Sequence, residues 1–262
     1  MHFLILGSLK VESSGKRISI TAPKQRAVLS ALLLHANNEV QIDRLIRFVW
    51  DAQPPTTAQT TLQSYIYRLR QLLQPLPGVE LKTSIDSYML SVGYADTDLW
   101  YFRKEVERAR EQAILGELAD AVADFRTAIA VWRGNALAGV PGETIQQEAR
   151  ILEGERIAAY EELFSTEMLL GHNRQIVPQL HKVVSVYPLH EVFRAQLMLA
   201  LYASGRQAEA LQNYTIMRRR LTENFGIEPG RELQDLHNAI LRQVPPAELT
   251  TTTPESRLSS SS

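Results

Sequence analysis

Turned at about 100° per residue, the stretch from Thr57 to Leu73 sorts its side chains onto two faces. Ala58, Leu62, Ile66, Leu69 and Leu73 make a narrow apolar stripe that must face a core. Opposite it stand Thr60, Ser64, Tyr67 and Gln71, flanked by Gln63 and Arg70 on one side and Thr61 and Arg68 on the other. Gln and Arg hydrogen-bond base edges, Thr methyls meet thymine methyls, and short hydroxyl side chains let a helix approach a groove. Acidic residues, which phosphate would repel, are missing from Ala58 to Leu73. A polar outer face also suits an ordinary surface helix, so the neighbouring elements decide between the two. They include a basic entrance to the first helix, where Lys24 and Arg26 are candidate phosphate contacts, and a hairpin carrying Lys82, Ser84 and Tyr88. Contacts of that kind set affinity and register rather than sequence choice.

Other chemistry fails on spacing. His190-Glu191-Val192-Phe193-Arg194 has arginine where a zinc-binding H-E-x-x-H helix needs its second histidine. G-x-S-x-G, G-x-G-x-x-G and G-x-x-x-x-G-K-[ST] do not occur, so the residues call for neither an enzyme nor a cofactor or metal. Arg218-Arg219-Arg220 is the densest basic run. It falls in a helical pattern and reads as a solvated face, with a second phosphate contact as the alternative. Trp132, Phe193 and the tyrosines around them lie at helical spacing among aliphatic residues and read as core.

The elements that must position the reading face are legible in order. Phe3-Leu4-Ile5-Leu6 and Ile18-Ser19-Ile20 are extended segments separated by the polar Ser13-Ser14-Gly15-Lys16 turn signal. Pro23 opens a helix that stops near Asn37-Asn38, and a second helix runs from about Ile42 to Trp50, where Pro54-Pro55 ends it. The reading helix follows. Pro75-Leu76-Pro77-Gly78 then forces a turn into a hairpin of Val79 to Thr83 and Tyr88 to Val92. After Asp98 strand signals vanish, and amphipathic helical patterns succeed one another to Gln243. Gly116 to Phe125 parallels Gly205 to Tyr214, and Gly171 lies 34 residues before Gly205, the period of tetratricopeptide repeats. Units of that kind leave an apolar face that the next unit buries.

Composition agrees with two domains in 262 residues. The chain has no cysteine, which suits a reducing compartment. Its N-terminus has an apolar run of about six residues without a basic lead, too short for a signal sequence or membrane span. The reading is a cytoplasmic protein with no membrane partner. The net charge of -1 conceals an asymmetry: residues 1–95 hold 10 basic and 6 acidic residues, a net of +4, against 18 and 23 after them, a net of -5.

Several segments carry a resemblance. Trp50, Pro54-Pro55 and Leu62 to Leu73 are similar to the DNA-binding domain of the Streptomyces antibiotic regulatory protein family, an OmpR-like winged helix. Asp98, Phe102, Val131 to Leu137 and Tyr187 to Glu191 resemble the family's bacterial transcriptional activator domain. Leu197 to Tyr202, Gly205 to Leu211 and Gly226 to Gly230 occur in the family's order and spacing.

The resemblance implies a mainly α chain. Ahead of a tail at 245–262 whose threonine- and serine-rich composition reads as disordered, it gives an N-terminal winged helix-turn-helix with a small β-sheet and a β-hairpin wing over residues 1–95 and an all-α tetratricopeptide-like domain over 96–244. It further implies an activator of a secondary-metabolite gene cluster that binds direct repeats near the promoter -35 region, stands beside a second copy on adjacent sites, and engages RNA polymerase holoenzyme. Thr57 to Leu73 would be the recognition helix, with base and backbone roles open among its polar residues. One departure is Ser87 before Tyr88, where the family commonly has glycine, which permits positive φ at no steric cost. A tetratricopeptide-like interaction scaffold without specific DNA binding is the alternative.

Overall fold

A computed structural model describes residues 2–13 and 16–250. Strands β1 (Phe3–Leu4), β2 (Lys10–Ser13) and β3 (Lys16–Ile18) form an antiparallel sheet in that order, with Val11 opposite both Phe3 and Ile18. The sequence pattern shows only its outer members, because Val11 is the single buried residue of β2 and leaves no alternation to read. The Ser14-Gly15 part of the turn signal lies outside the described residues.

Pro23 opens α1 (Pro23–Leu34), whose missing N–H costs nothing in a first turn. Strand β4 (Val40–Gln41) leads into α2 (Ile42–Trp50), then α3 (Ala58–Leu73), β5 (Glu80–Thr83) and β6 (Ser87–Ser91). The second sheet has the order β4-β6-β5, antiparallel throughout, with Val40 opposite Tyr88 and Leu81 opposite Leu90. Asn37, at φ 65°, closes α1 and docks onto the end of the hairpin. Its backbone N–H donates to the Leu90 carbonyl at 2.9 Å. Its side chain exchanges two 3.0 Å bonds with the Val92 backbone, copying a strand partner. Three helices and a hairpin wing are thus one packed body.

The helical region consists of α4 (Asp98–Ile114), α5 (Leu118–Ala130), α6 (Glu143–Leu169), α7 (Asn173–Val186), α8 (Glu191–Ala203), α9 (Gln207–Phe225), α10 (Arg231–Leu241) and α11 (Pro246–Thr250). The last helix corrects the reading of 245–262 as disordered from its first residue. Pro246 at the first position and Glu248 in the first turn start a helix. Just before it, the Val244 carbonyl accepts a 2.9 Å bond from the Tyr202 hydroxyl. Residues 251–262 of that tail lie outside the described residues.

Two compact units divide the chain. One comprises the chain up to Arg110 together with Ala123–Ala159; the other comprises Glu111–Val122 and the residues from Tyr160 onward. The boundary at 95/96 therefore marks a change of secondary structure, while packing in the first unit runs across it. Asp98, 1% exposed, accepts the Ile5 and Leu6 backbone N–H groups at 2.8 and 2.9 Å and a 3.2 Å bond from Arg133. Arg133 and Leu137 donate backbone bonds to the Leu6 and Ile5 carbonyls at 2.8 and 2.9 Å. Farther along, the Asp51 carboxylate caps the start of α6, accepting the Glu143 and Thr144 N–H groups at 3.1 and 2.9 Å. In the second unit α7 packs on α8, α8 on α9, and α10 on both α8 and α9. Gly171 and Gly205, 34 residues apart in sequence, take φ of 77° and 78° at the turns after α6 and α8, which is the repeat legible in the pattern.

Candidate nucleic-acid interface

The apolar stripe of α3 is buried as its spacing requires: Ala58, Leu62, Ile66, Leu69 and Leu73 face inward, with α1 and α2 packed against the helix. Thr60, Gln63, Ser64, Tyr67, Arg68, Arg70 and Gln71 are exposed, and Thr61 is half-buried. Tyr67 stands out into solvent at 64% exposure, unusual for so large a ring. The Ser64 hydroxyl donates back to the Thr60 carbonyl at 3.1 Å, which leaves its lone pairs outward. Arg68 makes no ion pair or hydrogen bond among the described residues.

Arg70 behaves differently. Its Nε donates to the Leu81 carbonyl at 2.9 Å and its terminal nitrogen to the Thr83 hydroxyl. It braces β5 to α3, so the expectation that it stands free to read bases is corrected. The cause is the turn at Pro75 to Gly78, which folds β5 back along the last turns of the helix.

The wing is held from its other side by Glu39. Ser87 Oγ donates to one carboxylate oxygen at 2.8 Å and Ser84 Oγ to the other at 2.9 Å. These bonds, Ser87's first, hold the Glu39 carboxyl below the usual carboxylate range. The serine that departs from the family's glycine is thus fully buried and anchors the hairpin. Ser84 keeps an exposed position but has already used its hydroxyl proton. Ile85, at the tip, is completely exposed.

Among the candidate phosphate contacts, Lys82 is exposed, with Glu80 at 3.5 Å from its ammonium. Tyr88 is only 5% exposed, which corrects its assignment. Its register opposite Val40 and Thr83 turns the ring into the core instead of toward a backbone. Lys24 is exposed and rests 5.0 Å over the Trp50 ring, which stacks on Tyr65 of α3 at 6.3 Å. That column ties the entrance of α1 to the reading helix. Arg26 is half-buried. Sequence reasoning missed Glu39, Asn37 and Asp51, each of which acts on partners some 45 to 93 residues away.

An exposed, acid-free helix held by two others and flanked by a braced hairpin defines a winged-helix DNA-binding fold. Comparison with known proteins agrees. Residues 15–86 match the family described as transcriptional regulatory protein, C terminal, and residues 97–241 match the bacterial transcriptional activator domain. The chain is 35% identical over 254 residues to the regulatory protein DnrI of Streptomyces peucetius, covering 94% of this chain and 93% of that one. It is 35% identical over 264 residues to the regulatory protein AfsR of Streptomyces coelicolor, covering 97% of this chain but 26% of that much longer protein. The solved structure of Mycobacterium tuberculosis EmbR in complex with a low affinity phosphopeptide superimposes with a TM-score of 0.86 at 30% identity, over 95% of this chain and 68% of that one. This chain belongs to the Streptomyces antibiotic regulatory protein family of transcriptional regulators. Among the described residues, no helix is long and apolar enough to cross a membrane.

Proposed function

We propose that this chain is a sequence-specific activator that works in the cytoplasm on the promoter of a secondary-metabolite, antibiotic-type gene cluster. It lays α3 in the major groove of direct repeats near the -35 region, with a second copy on the adjacent repeat, and engages RNA polymerase holoenzyme. The observation that carries this reading is the open face of α3, where Arg68 stands unpaired beside Tyr67, Gln71, Ser64, Gln63 and Thr60 with no carboxylate on the helix. Thr61 borders that face, half-buried. Lys82 and Lys24 are the phosphate contacts this geometry favours, with Arg26 partly withdrawn. The similarity to DnrI supports the kind of gene cluster.

A mobility-shift titration on the DNA upstream of neighbouring genes, repeated at several salt concentrations, tests it. The expected outcome is a preferred site carrying repeated half-sites, with affinity that falls as salt rises. Equal affinity for all duplexes of the same length would leave the interaction-scaffold reading standing and remove this one. Transcription from that promoter with purified polymerase holoenzyme then tests activation separately from binding.

A further inference from the structure

The second compact unit holds a cation that its own fold does not neutralise. Arg194, on α8, is 3% exposed, and a terminal nitrogen of its guanidinium donates to the Asn213 Oδ1 at 2.8 Å. Asn213 is held in that orientation by donating its own amide to the Glu209 carbonyl at 3.0 Å. The Arg194 Nε is buried with no partner. Among the described residues no carboxylate pairs with this guanidinium. Glu209 is the acid at the site, and its two oxygens are taken by Arg206 at 2.7 Å each.

Arg194 lines a cleft of about 310 Å³ between α7, α8 and α9, toward the small end of the range for ligand sites. Arg220 lines the same cleft from the far end of α9, and Ser185 and His181 border it from α7. Burial, and after it the repulsion from Arg220, lower the Arg194 pKa to about 10, so it stays charged at neutral pH. A buried charge without a counterion is costly. Two arginines and an imidazole on one cleft are groups that hold a multiply charged oxyanion, whereas the Ser185 hydroxyl proton is already given to the Lys182 carbonyl at 2.7 Å. The basic run Arg218-Arg219-Arg220 divides accordingly: Arg218 is spent on Glu228 at 2.7 and 2.9 Å, while Arg220 turns to the cleft.

We propose that the cleft between α7, α8 and α9 binds a small molecule through a phosphate group, with Arg194 at its floor and Arg220 at its rim supplying the positive charge. Calorimetric titration of the full chain, without DNA and at matched ionic strength, tests this with orthophosphate, glucose 6-phosphate and AMP as probes. Saturable binding at one site per chain is expected. Orthophosphate binding as tightly as the others identifies the free ion as sufficient; preference for either ester identifies an organic phosphate. Arg220→Gln, at an exposed position, should weaken binding about tenfold or more, as loss of a charge-assisted contact does. Arg194→Met should abolish it and melt no lower than the unaltered chain in phosphate-free buffer, because the uncompensated charge is gone. Should that variant not fold, Arg220→Gln decides alone. No saturable binding of any probe, unchanged affinity in Arg220→Gln, or tighter binding of a phosphoserine peptide than of all three probes overturns the proposal. Because no DNA is present, failure here leaves the promoter-binding reading untouched.

Discussion

Helices α3 and α9 carry their arginines close together, and in both the tertiary structure treats neighbours in opposite ways. On α3, Arg70 is consumed by the Leu81 carbonyl and the Thr83 hydroxyl, while Arg68, two residues earlier, is left bare on an open face. On α9, Arg218 is consumed by Glu228, while Arg220, two residues later, lines a cleft beside a buried arginine. The faces differ in what they can admit. The α3 side chains stand outward on an exposed helix, where a duplex groove can reach them all; the α9 arginine borders a cavity of about 310 Å³, with room for a small ligand and none for a helix of DNA. A count of basic residues would have ranked α9 first as the nucleic-acid contact. Partner geometry reverses that ranking.

The contrast can be broken or sharpened by substitution. The largest effect is expected at Asp98, which lies on neither helix and serves as the control for pure structure. Asp98→Ala would strand the Ile5 and Leu6 N–H groups and the Arg133 guanidinium, lowering unfolding stability by about 3 kcal/mol or more in urea titration. A chain cut after residue 95 should show the same loss, since it lacks Asp98 altogether.

Next come the two arginines of α3. Arg68→Ala should cost about 1–3 kcal/mol of specific DNA binding with the thermal melt unchanged. Arg70→Ala should cost about 1–2 kcal/mol of stability, through its carbonyl and hydroxyl partners, and affect DNA chiefly by loosening the wing. If the two variants behave alike in both assays, the division between reader and brace is wrong.

A smaller effect belongs to Glu39. Its carboxyl is held below its unfolded value by Ser87 and Ser84. The clasp therefore contributes fully above the unfolded carboxylate pKa and is lost as pH falls through the lowered folded value. Glu39→Gln should speed amide exchange at the hairpin tip at neutral pH and remove its acid dependence. The smallest effect is expected at Tyr88: Tyr88→Phe should leave DNA affinity and its salt slope unchanged, because the ring is buried. A weaker complex would restore the hydroxyl as a phosphate contact.

Much of the fold was legible because its signals are local. The 3.6-residue period of Ala58, Leu62, Ile66, Leu69 and Leu73 picked out the buried stripe of α3 residue for residue. Pro23 marked the start of α1, Asn37-Asn38 its stop, and the glycine spacing the helical repeat. Strand β2 escaped because one buried valine makes no period. The start of α11 escaped because threonine- and serine-rich sequence around it reads as unstructured, though proline and glutamate at a helix start are the opposite signal.

The candidate interface divides along the same line. The sequence by itself determined which residues could share the exposed face of α3 and that none of them is acidic, since helical geometry fixes both. Only the tertiary structure decided which of those groups remain available. Arg70 was removed by a strand folded back through a proline turn, Tyr88 by its register opposite Val40, and the Ser84 proton by a glutamate 45 residues earlier. Hydrogen bonds and salt bridges form between groups that the chain brings together from any separation, and a linear pattern carries no record of which pairs meet. The unpaired charge of Arg194 belongs to the same class: its lack of a counterion depends on Arg206 having taken Glu209.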